Sequence, residues 1–372
     1  MKFEAVVLFL GVVRGVVLPR DDTSSKVATI EAKNFKDLGA KRVQITYGPY
    51  LIPSSTDEAT HGMVTSREMN ALMPCRECFI TGFTTDLRFE DGKTTANANK
   101  QMWLHHSGLM NLNRTDAACT HWPERMGVNG NERSSIDFTL KGTRKAGYYL
   151  RANDQVFLTI DAMNMAPAAR NVTLVMEWEY LPGIPADFDI VFPIWLDVKG
   201  NCLNESSGAK AEDLVFTAKS ATGWTAQHSG DLILAVPHIH DGNVNQQVFQ
   251  DGKKVCESIP GYGETADFVS HNEGGDGHGH DHGTSEHTYH VSSITQCENV
   301  AKVAPGSKFT ITSEYDMKTH TPMKDHDGSL EPIMGIQFLH LARPQAEGIK
   351  DILAMKNGDL DAFVAQVRGG GG

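Results

Sequence analysis

The common catalytic signatures are missing from this chain. Its 372 residues contain no Gly-x-Ser-x-Gly elbow, no phosphate-binding loop and no dinucleotide fingerprint, so hydrolase and nucleotide chemistry have no support. Basic charge is scarce. Lys and Arg number 34 against 46 Asp and Glu, for a net charge of −12 and a pI near 5.7. No local basic cluster offsets that balance, which argues against nucleic acid or a membrane surface as partner. Beyond the first twenty residues no apolar run approaches a membrane span. Helical periodicity is almost absent before residue 344.

What the chain does have is short β-rich runs punctuated by Gly, Pro, Asn and Asp. Arg42–Tyr47, Cys78–Phe83, Val156–Ile160 and Val172–Trp178 lie in the first half, and Leu214–Thr217, Gly230–Val236, Lys308–Tyr315 and Ile333–Leu341 in the second. This spacing predicts an all-β protein of two tandem antiparallel, jelly-roll-like β-sandwiches. The expected domains are 21–198 and 199–343, with Leu181–Pro185 and the run Phe188–Val198 as the link between them. A short helical tail is expected over 344–372, carried by Ile349, Ile352, Leu353, Leu360, Phe363 and Val364. Residues 271–290 are rich in Gly, Asp and His, have nothing to bury, and read as a loop.

The compartment is expected to be extracellular. Met1-Lys2 followed by the apolar run Ala5–Val13 resembles a secretory leader over 1–20. Asn113, Asn171 and Asn204 stand in glycosylation sequons. Six cysteines, Cys75, Cys78, Cys119, Cys202, Cys256 and Cys297, fit disulfides in an oxidising environment. Pairing Cys256 with Cys297 would clip the base of the His-rich loop. Cys75, Cys78 and Cys119 with His121 offer the alternative of a zinc site.

The most informative stretch is Leu232–Gly242, an apolar run ending in Pro237-His238-Ile239-His240 and a turn. Strand side chains repeat with period two, so His238 and His240 face the same way, roughly 7 Å apart at Cβ. Two imidazoles so placed can reach one metal ion. A second pair, His105-His106, is adjacent in sequence. Neighbours in a regular strand face opposite sides, so both can bind one ion only at a bulge or strand end.

A His-His pair, then a His-x-His pair, then a late Met resembles the copper type II, ascorbate-dependent monooxygenases, which include the peptidylglycine α-hydroxylating and dopamine β-monooxygenases. The nearer likeness is to their stress-up-regulated nodulin-like branch. It is carried by Met102–Met110, by His238–Gly263 with Asp241-Gly242-x-Val244, and by Ser313–Leu339 with Tyr315 and Met334-Gly335-Ile336. The resemblance implies two β-sandwiches, each with one copper, and solvent between the ions. His238, His240 and Met334 would hold one copper, with Met317 or Met323 as the other candidate sulfurs. His105 and His106 would hold the second. The family draws a third imidazole from a strand that reads Val156–Met165 here and has no histidine. His121 or a Met would complete that site, or it stays at two ligands, or it takes no copper. Further candidate ligands are His278, His280 and His282 in the loop. Two functions follow: copper- and oxygen-dependent hydroxylation of a small-molecule or peptide substrate with a reductant such as ascorbate, or a non-catalytic secreted copper-handling or stress-related protein with an incomplete first copper site.

Overall fold

The computed structural model describes residues 18–19, 25–198, 213–220, 223–271, 287–322 and 333–355. Cys202, Asn204, Met323, the helical tail beyond Met355 and the loop histidines His278, His280 and His282 lie outside them.

The architecture is all-β. In chain order the main strands are β1 (Lys26–Ile30), β2 (Lys41–Ile52), β3 (Met63–Glu68), β4 (Cys78–Phe89), β5 (Met102–Thr115), β6 (Pro123–Asn129), β7 (Ala146–Leu150), β8 (Val156–Asn164) and β9 (Arg170–Pro182). They continue as β10 (Asp189–Asp197), β11 (Val215–Lys219), β12 (Gly230–Ile239), β13 (Asn243–Gln250), β14 (Lys253–Ser258), β15 (Cys297–Val303), β16 (Lys308–Asp316) and β17 (Gly335–Arg343). One helix, α1 (Gln345–Ala354), follows.

A long sheet runs through both halves in the order β1-β2-β9-β4-β7-β10-β17-β12-β15. A smaller sheet, β3-β8-β5-β6, faces its first part, and another, β11-β16-β13-β14, faces its second. Two apolar cores result. Ile45, Leu174 and Trp178 of the long sheet meet Val64, Leu158 and Ile160 of the first small sheet. Leu339 and Leu341 meet Val248, Phe309 and Ile311 of the other. Burying side chains of this size is worth roughly 1.5–3 kcal/mol each.

Strand β10 shows why the two halves join. Within Phe188–Val198, expected as linker, Asp189–Asp197 is a strand inside the long sheet, antiparallel to β17 and parallel to β7. Ile190, Phe192, Ile194 and Leu196 enter the second core while Val191 and Trp195 enter the first. Nearly every position is apolar because both faces are covered.

The same alternation aims the His-x-His pair. Val236 of β12 and Ile336 and Phe338 of β17 belong to the first core. His238 is paired with Ile336 across the strands and follows Val236 on that face. Pro237 is tolerated in β12 because His240 donates its N–H to Met334 O, at 3.3 Å. Even-numbered residues therefore bond β17, and the missing donor of Pro237 points to the opposite edge, where β15 pairing has ended at Ala235.

Candidate metal centre

Strands β5 and β12 bring four histidines together. On β5 the register against β8 slips between Asp161, opposite His106, and Ala162, opposite Leu104. His105 is the extra residue of a β-bulge, which is what adjacent side chains need to share a face. The His105 and His106 rings lie 4.0 Å apart at their centroids. His105 and His106 reach His240 at 5.0 and 5.2 Å, and His106 reaches His238 at 5.1 Å. His106 Nε2 and His240 Nε2 are 3.1 Å apart, and donor atoms of His105, His106 and His240 all fall within 4.8 Å of one another.

The two histidine pairs, expected at separate coppers, lie close together. The long sheet carries β12 round to face β5, and the histidines of both halves form one cluster. Met334 is opposite His240 by its backbone hydrogen bond and is buried in the first core. Met317 is buried beside Tyr315 and Ile333. His121 is exposed and lies apart, against Trp122. The zinc alternative fails because Cys75 is bonded to Cys78 and Cys119 is itself in a disulfide, which leaves no thiolate. The pairing Cys256–Cys297 is present.

Two carboxylates missed from sequence support the rings. His238 Nδ1 lies 2.9 Å from Glu132 Oε1, and His106 Nδ1 lies 3.5 Å from Asp161 Oδ2. Glu132 is 106 residues from His238 and left no local signal. Asp161 did leave one, as the sole charged side chain in Val156–Met165. Gly130 is required by close approach, since a Cβ there would sit 2.6 Å from His238 Cε1.

Burial, and then the neighbouring imidazoles, hold His105 and His106 well below the ordinary imidazole pKa. Neutral rings are the metal-binding form. His105 Nε2 and His238 Nε2 are buried with no hydrogen-bond partner, a costly arrangement unless something bonds them. A pocket of about 20 Å³ opens beside the cluster, walled by Trp103, Ile239, Val291 and Pro322 with Asn131, Glu132 and Asp241. It has room for about one water or ion.

This is a β-sandwich protein with a half-buried polyhistidine centre between its sheets. The family model for stress up-regulated Nod 19 matches residues 198–343. Probable copper-dependent oxygenase M1 of Phoma sp. is 30% identical over 338 residues, covering 90% of this chain and 80% of that protein. Probable copper-dependent oxygenase clz3 of Cochliobolus lunatus is 31% identical over 265 residues, covering 71% and 79%. The chain belongs to this stress up-regulated Nod 19, copper-oxygenase-like family. Among solved structures, the PBCV-1 VP54 crystal structure fitted into a reconstruction of the virophage Sputnik aligns over 87% of this chain and 95% of that one. The TM-score is 0.26 at 6% identity.

Proposed function

We propose that the protein is a secreted copper-dependent oxygenase whose copper is held by His105, His106, His238 and His240, with Met334 as the candidate sulfur ligand. The observation that carries this is the convergence of four imidazoles, two of them with a buried, unpartnered Nε2. Imidazole with thioether suits copper in both oxidation states. Copper bound there would supply one-electron chemistry toward dioxygen, with ascorbate or a similar reductant as electron source.

The residues of the chain do the rest. β12 and the bulge on β5 set the donor atoms, and the cores on either side of the long sheet keep that backbone rigid. Trp103, Ile239, Val291 and Pro322 exclude bulk water and present an apolar wall to a small-molecule or peptide substrate. The leader-like opening, the three sequons and the disulfides support secretion.

The narrowness of the pocket, about 20 Å³, favours a second reading, copper handling without turnover. Oxygen consumption with ascorbate separates the two. Uptake above a free-copper control, abolished in His106→Ala, supports the oxygenase. Copper binding with uptake no faster than the control supports handling.

A further inference from the structure

The turn after β6 does more than connect strands. Arg133 N–H donates to Gly130 O at 3.2 Å, and Gly130 N–H donates to Glu132 Oε1 at 3.2 Å. The Glu132 carboxylate is thereby folded back over its own turn, with Oε1 also 2.9 Å from His238 Nδ1. Arg133 anchors the turn through Asp86 at 2.7 Å and Ala96 O at 2.9 Å. Asn131 Nδ2 ties it to Val291 O at 3.3 Å. Glu132 is therefore held in place by contacts independent of any ion.

With a carboxylate on Nδ1, that nitrogen carries the proton and the lone pair stands on Nε2. In His238 this Nε2 is the buried atom with no partner. The arrangement recurs more loosely at His106. Asp161 of β8, paired directly with it across the strands, faces Nδ1 at 3.5 Å. His106 Nε2 again points away, toward His240. One imidazole from each half is thus backed by a carboxylate from the first half.

We propose that Glu132 and Asp161 are positioning residues that fix His238 and His106 in the tautomer presenting Nε2 to the metal, and that their negative charge biases the centre toward the oxidised ion. The inference rests on the copper reading above and adds what sets ring orientation and charge. Deleting such an outer carboxylate costs roughly 10–100-fold in metal affinity. The shorter contact at Glu132 should give the larger loss.

The test is Cu(II) affinity by chelator competition, with the paramagnetic resonance spectrum of the bound ion, on the full chain. Glu132→Gln and Asp161→Asn are compared with wild type and His240→Ala. Expected are a roughly 10–100-fold weaker Cu(II) affinity and an altered spectrum for Glu132→Gln, and a smaller change in the same direction for Asp161→Asn. Cu(I) affinity should fall less than Cu(II) affinity in both, an asymmetry that a merely structural role would not produce. If Glu132→Gln fails to fold, Asp161→Asn alone must show that asymmetry. Wild-type affinities and spectrum in both variants, with copper lost in His240→Ala, would overturn the inference and leave the centre standing. A wild-type protein that binds no copper would overturn both.

Discussion

His238 and His340 sit on adjacent strands, both fully buried, yet their surroundings differ in kind. His340 lies among aromatic rings, 5.1 Å from Phe138 and 6.4 Å from Phe338, and burial pushes its pKa down to about 3. His238 faces two other imidazoles and a carboxylate. Burial is common to both. What separates a site from a core residue is convergence, imidazole rings within 5.1 and 5.8 Å of His238, backed by groups that fix their tautomer.

Substitutions that cut across this contrast should have the largest effect. His106→Ala or His240→Ala removes one of the two facing Nε2 atoms, and tight copper binding should disappear on metal analysis. His340→Leu should leave copper binding at the wild-type level. A copper loss from His340→Leu equal to that from His240→Ala would erase the distinction.

Gly130→Ala comes next. Its methyl must fit where His238 Cε1 is 2.6 Å and Glu132 Oε2 is 2.8 Å away. Overpacking of this sort costs about 1–3 kcal/mol, so a lower denaturant midpoint together with weakened copper affinity is expected. A stability loss without any change in copper affinity would separate the turn from the centre.

Acid sharpens the contrast further. His105, His106 and His340 have folded pKa values below the unfolded imidazole value. The unfolded chain therefore binds more protons as pH falls below about 6.5, and stability is lost in that direction. Each such histidine contributes a slope of up to about 1.4 kcal/mol per pH unit, for His340 down toward pH 3. In metal-free protein, urea midpoints between pH 7 and pH 5 should fall, and His340→Leu should shallow the slope. An unchanged slope in that variant would contradict the assignment.

The smallest effect on the centre is expected at Pro237→Val. The regained N–H of this buried residue points past the end of β15 and lacks a strand acceptor there, so stability should fall by about 1–3 kcal/mol while copper binding is unchanged.

Much of this molecule was legible in its sequence, and the limits have physical causes. Strands were readable as β-rich runs between turn residues, even where both faces are buried as in Val156–Ile160, and the His-x-His pair followed from the period of two. The run Phe188–Val198 was not readable as a central strand, because the preceding Pro182-Gly183 and Pro185 resemble a linker. The rule that His105 and His106 need a bulge was available. That the bulge lies there is set by pairing with β8, more than fifty residues away. The meeting of the two histidine pairs depends on sheet closure through β10, and Glu132 on a turn held by Asp86 and Ala96, so neither leaves a local pattern.

The central claim is that the four histidines form one copper centre. The most direct measurement is metal analysis of purified, copper-loaded and dialysed protein, for wild type, His105→Ala, His106→Ala, His238→Ala and His240→Ala. The account predicts about one copper per chain in the wild type and a loss of tight binding in the variants of both pairs. Two coppers per chain, one lost with His105 or His106 and the other with His238 or His240, would contradict it.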